Sequence, residues 1–373
     1  KNLNEKVIIC KLDQKSDILI YAHHLIEKVV IPSTIKRISP FAFFRCDHLQ
    51  SVEIESDTNL HQISKYAFSN SSIRSLSIPS SIEDFEAGWC FDTPQLNNVL
   101  ISPVNRHFSM IDKKIMVKNI DLKSDTYSIL CFVCRNIEKV IVPSFITTVN
   151  PYAFADCKKL KTVVFTGDSK LVSIEMSAFS ESGIESITIP KHVKKIGEFA
   201  FNGCSNLKTV NFSQNSELEI IEKESFSNSF IEYVSIPSSV KKINEGAFSL
   251  CTNLKEIEFE ENSKIELIDK KTFFMVSINS IDIPSTVKEI DECAFFYCNL
   301  LNNVIFQGNS QLEIIGKSAF SHSALKTVFI PSHVKYIKEQ AFFTCLQLET
   351  IEFEENSELI SIDKEAFLKT SIH

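Results

Sequence analysis

Residues 240–284 read VKKINEGAFSLCTNLKEIEFEENSKIELIDKKTFFMVSINSIDIP. Leu254, Ile257 and Phe259 are interleaved with polar residues, the period of a strand with one buried face. Asn262-Ser263 suits a turn, since both side chains can bond nearby backbone. Ile265 and Ile268 point back inward, and Phe273 fills the centre of the loop of chain so formed. Ile278, Ile281 and Ile283 open the next strand, and Pro284 stops its ladder because proline has no N–H to donate. One such coil cannot bury these side chains by itself. Stacking it on the next coil does.

The same writing runs along the chain. Ile/Val-Pro recurs at Pro32, Pro79, Pro143, Pro190, Pro237, Pro284 and Pro331, with intervals of 47 residues from Pro143 onward. Cys157, Cys204, Cys251, Cys298 and Cys345 keep the same spacing. Within each 47 lie two halves, each with a Phe usually preceded by Ala or Ser: Phe154 and Phe179, Phe201 and Phe226, Phe248 and Phe273, Phe295 and Phe320, Phe342 and Phe367. The unit is therefore a coil of about 23 residues, in the range of a leucine-rich repeat. Phe repeated at one position predicts a column of rings along the axis, which accounts for 30 Phe in 373 residues. Only 8 glycines are present, too few for a chain built around phosphate loops.

The rhythm breaks between Pro79 and Pro143, 64 residues apart. The excess lies in Val104–Arg135, where alternating apolar residues around Asp121-Leu122-Lys123-Ser124-Asp125 read as a β-hairpin. Asp13-Gln14-Lys15-Ser16-Asp17 before Ile18-Leu19-Ile20-Tyr21 echoes it at the start. Only six residues follow Phe367, and both ends read as cut from a longer protein.

Val240–Ile257, repeated coil after coil, resembles the BspA-like (treponemal-type) leucine-rich repeats, whose pattern is I-x-x-x-A-F-x-x-C-x-x-L-x-x-I-x-I-P. The match covers essentially the whole chain. One departure is Cys90-Phe91, which stands where Ala-Phe is expected, in a coil with an extra residue and the sole Trp, Trp89. The resemblance implies a curved α/β solenoid, and family members include surface proteins of host-associated bacteria and parasitic protists linked to adhesion. The expected fold is a single right-handed leucine-rich-repeat solenoid over 1–373, of about fourteen coils of 22–25 residues. A parallel β-sheet would line the concave face, with short helical turns around the Ala-Phe pairs on the convex face and a hairpin insertion near 104–135.

Chemistry is sparse. Successive cysteines of the 47-residue row, two coils apart, would lie about 10 Å apart at a strand spacing of about 4.8 Å, beyond disulfide reach. They read as small packed thiols. Cys131-Phe132-Val133-Cys134 is a lone C-x-x-C in an apolar run, a poor zinc set without a second pair. Cys10, Cys90 and Cys293 have no assigned role. His192 and His333 fall in the turn after Ile-Pro, and Lys194, Lys241, Lys288 and Lys335 form a stripe along one edge. No nucleophile elbow or phosphate loop is present, and no cofactor or metal is expected. A net charge of −8 disfavours nucleic acid, and no apolar run is long enough to span a membrane. Asn70-Ser71-Ser72 and Asn211-Phe212-Ser213 would be glycan acceptors on a secretory route.

Two functions stay open: a non-enzymatic protein-binding or adhesion module, surface-exposed or secreted, with a host-cell surface or extracellular matrix protein as partner; or a cytoplasmic scaffold, which the unpaired thiols suit. In either case binding is expected on the outward side chains of the strands, since strand residues alternate. That column runs Val30, Glu53, Ser77, Leu100, Ile141, Val164, Thr188, Asn211, Ser235, Glu258, Asp282, Ile305, Phe329, Glu352. Two apolar places interrupt it, Ile141 beside Val164 and Ile305 beside Phe329 with Tyr233 neighbouring, flanked by Asp282 and Glu352.

Overall fold

The structure, a computed structural model, describes residues 2–3, 7–11, 17–55, 57–123 and 126–372. The turn at Asp13–Ser16 and the pair Ser124-Asp125 lie outside the described residues. Two compact units are formed, Lys1–Gly183 and Ile184–His373.

In the second unit every coil contributes a four-residue strand to a first row. These are Ser186–Ile189, Thr209–Phe212, Tyr233–Ile236, Glu256–Phe259, Ser280–Ile283, Asn303–Phe306, Thr327–Ile330 and Thr350–Phe353. The second position of a strand is buried and the third faces out, as at Ile281 and Asp282, because a strand turns successive side chains to opposite faces. Pairing is parallel but not uniform. Ser280–Ile283 matches Asn303–Phe306 along its whole length, and Thr327–Ile330 matches Thr350–Phe353 likewise. Between these double coils, and between Glu256–Phe259 and Ser280–Ile283, the ladder is interrupted. Proline contributes without being sufficient, since Tyr233–Ile236 is followed by Pro237 and still pairs with Thr209–Phe212 at Thr209–Tyr233. Glu260, Gln307 and Glu354 each donate their amide back to Ile236, Ile283 and Ile330, at 3.0 Å. Pro284 and Pro331 hold the corresponding place in the intervening coils and have no amide to give. From Ser280 to Phe353 the hydrogen-bonded unit of the first row is therefore the 47-residue pair, whereas the four strands from Ser186–Ile189 to Glu256–Phe259 stay in one ladder.

A second row, unforeseen, is made of two-residue strands such as Lys242–Ile243, Leu267–Ile268, Glu289–Ile290 and Ile314–Ile315. From Leu267–Ile268 through Ser361–Ile362 it is one continuous parallel ladder. It is not bonded between Lys242–Ile243 and Leu267–Ile268, where a cleft of about 680 Å³ opens among Lys241, Lys242, Lys264, Glu266, Leu267 and Asp269.

The third side corrects the expectation of helical turns: among the described residues no helix forms. Around Ala247-Phe248, alternate amides bond differently. Ala247 and Ser249 donate to Asn244 and Gly246 three residues back, whereas Gly246, Phe248 and Leu250 donate sideways to Lys270, Thr272 and Phe274 of the next coil. A helix would need every amide on its own chain four residues back. Left-handed residues at Gly246 (φ 64) and Leu250 (φ 61) end each attempt. The core Phe rings stack flat, with Phe226–Phe248 at 5.2 Å, Phe248–Phe273 at 5.7 Å and Phe273–Phe295 at 5.4 Å between centroids. Beside them three of the recurring thiols donate to the carbonyl of a core Phe in the preceding coil: Cys251 to Phe226 at 3.1 Å, Cys298 to Phe273 at 3.1 Å, Cys345 to Phe320 at 3.2 Å.

The first unit repeats this plan with Lys28–Ile31, Ser51–Ile54, Ser75–Ile78 and Asn98–Ile101 side by side, and Lys139–Val142 paired with Thr162–Phe165. Val7–Lys11 pairs antiparallel with Asp17–Ala22, which joins Ile35–Ile38 in parallel. Phe108–Ile111, Ile115–Asp121 and Thr126–Val133 form an antiparallel run whose last strand pairs in parallel with Thr148–Val149.

Cys90 corrects a second expectation. Phe43 donates to Ala67 O, and Phe68 to Trp89 O, so Trp89-Cys90 occupies the Ala-Phe slot, not Cys90-Phe91. A thiol cannot continue a ring stack. Trp89 instead meets Phe68 edge-on at 6.3 Å, and Arg135, 2% exposed, enters from the end of the insertion. Its guanidinium lies 4.8 Å over Phe132, with Nη1 3.2 Å from both Ala153 O and Cys157 Sγ and Nη2 3.7 Å from Cys90 Sγ. Its Nε has no partner, and no carboxylate forms an ion pair with it among the described residues.

Candidate binding face

The outward side chains of the first row come into register as rungs. In the first unit Val30 faces Glu53, Leu100 faces Ser77, and Ile141 faces Val164. In the second, Thr188 faces Asn211, Ser235 faces Glu258, Asp282 faces Ile305, and Phe329 faces Glu352. Ile141, Ile305 and Phe329 are exposed at 57%, 46% and 46%, whereas Val164 is half-buried. Both apolar places therefore reach solvent. They differ in setting. Ile141 and Val164 share a full ladder, while Ile305 and Phe329 sit on either side of the seam between Asn303–Phe306 and Thr327–Ile330. Each of this second pair has a carboxylate on its own rung, Asp282 and Glu352, so an apolar centre is bracketed by acid.

Tyr233 does not join that cluster. It stands at the first position of its strand, in register with Thr209 and Glu256, and the strands Glu256–Phe259 and Ser280–Ile283 lie between it and the Ile305 strand. Its hydroxyl donates to Glu258 Oε2, which holds the phenol proton and raises the Tyr233 pKa above its ordinary value. The sequence reading set it beside Ile305 and Phe329, and only register shows the two coils that intervene.

The lysine stripe is matched by acid. Lys241, Lys288 and Lys335 reach Glu219, Glu266 and Glu313 one coil back, at 2.9, 3.1 and 3.1 Å. Lys223, Lys270 and Lys317 repeat the device with Glu245, Glu292 and Glu339. These exposed pairs each contribute little, but they match three of the stripe's four lysines with acid. His192 pairs with Glu217 at 3.0 Å and His333 touches Ser332, both on exposed turns.

All eleven cysteines are thiols. Burial pushes Cys131 up to about 12 and Cys134 to about 11, so the C-x-x-C side chains are protonated at neutral pH. Among the described residues no three His, Cys, Asp or Glu gather as a metal-holding set, and no helix is long and apolar enough to cross a membrane. The strand pattern did not foresee a cleft of about 440 Å³ beside the insertion, where Leu100 meets Phe108, Met110 and Tyr127.

Comparison with known proteins follows from this geometry. The family model for the BspA type leucine rich repeat region matches in overlapping segments that together span residues 19–373. A comparison with curated proteins returns no match. Among solved structures, a leucine-rich repeat protein from Bacteroides ovatus is 17% identical over 98% of this chain and 91% of its own, with a TM-score of 0.46. One from Eubacterium ventriosum is 18% identical over 99% and 94%, also at 0.46. A leucine rich cell surface protein from Faecalibacterium prausnitzii is 21% identical over 95% and 96%, at 0.45.

Proposed function

The chain belongs to the BspA-type leucine-rich repeat family, and on that premise we propose that it is a non-enzymatic module that binds a protein partner through the outward face of its four-residue strands. The observation that carries this reading is the pair Ile305 and Phe329, both 46% exposed and bracketed by Asp282 and Glu352. An exposed apolar centre with a polar rim is the usual form of a protein contact. The acid rim suits a partner with basic or mixed charge. Glu258, on the rung with Ser235, extends the acid side. Ile141 with Val164 offers a second, smaller contact of the same kind.

We take the partner to be a host-cell surface or extracellular matrix protein and the module to be displayed or secreted, the reading that the family resemblance supports. The cytoplasmic scaffold remains the second reading because all eleven cysteines are thiols, a state that reducing compartments preserve. The test is the double change Phe329→Ser and Ile305→Ser in the whole chain. Circular dichroism should match the parent, and binding to immobilised matrix preparations and to intact host cells should fall at least tenfold. A folded variant that binds as the parent does removes this face as the site.

A further inference from the structure

The turns of the first unit carry an assembly that owes nothing to the strand face. Five aromatic rings, from residues far apart in sequence, meet along the turn edge. Phe41 lies 5.6 Å from Phe44 and 5.4 Å from Tyr66; Tyr66 and Tyr152 both contact Phe91, at 6.3 and 5.4 Å. The Tyr66 and Tyr152 hydroxyls bond each other at 2.9 Å, which pins the far end of the cluster. Gly88, at φ +70, permits the approach: a Cβ there would lie 2.5 Å from Tyr66 Cε1. Phe41 and Phe44 nevertheless remain 51% and 37% exposed, so the near end is an open apolar shelf.

A polar pocket of about 410 Å³ adjoins the shelf, lined by Arg45, Asp47, Asn70, Ser71, Ser72, Asp92 and Pro94. The two are joined through Arg45, whose guanidinium carbon lies 5.3 Å over the Phe44 ring, and through Asp92, the residue after Phe91. Two features describe its ligand. Arg45, Asp47 and Asp92 take part in none of the ion pairs among the described residues. One guanidinium and two carboxylates together disfavour both a phosphate, which would face the acids, and a polyamine, which would face the arginine.

We propose that this edge binds a saccharide: a pyranose lays its C–H face on the Phe41–Phe44 shelf while its hydroxyls bond Asp47, Asp92 and Arg45. Neutral vicinal hydroxyls both donate to carboxylates and accept from a guanidinium, the mixture the pocket offers. The volume fits a small-molecule site, and the neighbouring Phe41 and Phe44 rings offer the apolar wall that the pocket's own lining lacks.

The experiment uses the whole chain produced in the bacterial cytosol, so that Asn70 carries no glycan. The probe is an array of immobilised neutral and sialylated oligosaccharides, with any hit then titrated calorimetrically. Saturable binding is expected, weakened at least tenfold by Asp47→Asn with Asp92→Asn and by Phe44→Ala. The Ile305→Ser, Phe329→Ser variant should bind as the parent does, which separates this site from the strand face. Arg45→Gln, at an exposed position, serves if either of the others melts early. No signal on the array overturns the proposal. So does binding that survives the folded variants, and so does a pocket that takes only spermidine or inorganic phosphate.

Discussion

A core Phe in this chain is worth more than its area, because its ring lies parallel to the next at 5–6 Å on each side, as with Phe248 between Phe226 and Phe273. Phe248→Ala or Phe295→Ala should therefore lower stability by about 3–5 kcal/mol, read from urea midpoints at constant slope. Arg135 predicts the opposite. It is a buried cation with no ion pair, a state that costs more desolvation than two thiols and a carbonyl return. Arg135→Met should leave stability unchanged or raise it, whereas Arg135→Ala should destabilise by opening a cavity. A large loss in the Met variant would show that the guanidinium bonds outweigh its desolvation. The thiols set an alkaline limit. Cys90 and Cys298 are pushed by burial to about 12 in the fold, against about 8.5 in an open chain. Above about pH 8.5 the unfolded state releases protons that the folded state keeps, so stability declines from there toward pH 12. Cys298→Ala should shallow that decline between pH 8 and 10. An identical slope in the variant would assign the loss to other groups.

At the scale of elements, register and missing donors together shape which neighbours are bonded. The Asp291 amide donates to Ile268 O at 2.9 Å, and the Gly316 amide to Ile290 O at 2.6 Å. The corresponding Asp269 amide has no such bond across the cleft to Ile243. Hydrogen exchange should be fast at Asp269 and slow at Asp291 and Gly316; equal protection would mean that the cleft is closed in solution. The four-residue strands and the role of Pro284 were legible because each rests on local pattern: period-two alternation and a missing donor. The two-residue strands were not, because a single inward Ile leaves no period to detect. Ala-Phe read as helical because composition shows nothing of amides that bond sideways. Trp89-Cys90 was misaligned by one residue since Cys90-Phe91 looks more like Ala-Phe than Trp89-Cys90 does. Of the candidate face, outward orientation was legible at Ile305 and Phe329; the neighbour of Tyr233 was not, because it depends on a count of coils.

For the molecule as a whole, the repeat that matters is the double coil. Each 47-residue pair is fully bonded within itself in the first row and carries one proline, one row cysteine and two core rings. Stability in such stacks is close to a sum of units and nearest-neighbour interfaces. Removing one whole pair should therefore leave a sound protein, while removing one coil should not. Deletion of residues 240–286 joins Ser239 to Val287, so that Ile236-Pro237-Ser238-Ser239 runs into Val287-Lys288-Glu289-Ile290 in place of Val240-Lys241-Lys242-Ile243. Phe226 would then stack on Phe295, and proline-bearing coils would still alternate with proline-free ones. Deletion of the 25 residues 249–273 joins Phe248 to Phe274 and keeps one ring per coil, but it sets two proline-bearing strands, Tyr233–Ile236 and Ser280–Ile283, side by side. The rung between Ser235 and Glu258 is lost, and neither proline supplies the amide that Glu260 gave to Ile236. The first deletion should melt cooperatively within a few degrees of the parent by circular dichroism; the second should melt well below it. Equal melting of the two would show that the single coil, with its rings and second-row strand, is the unit of stability and that the proline rhythm is incidental to it.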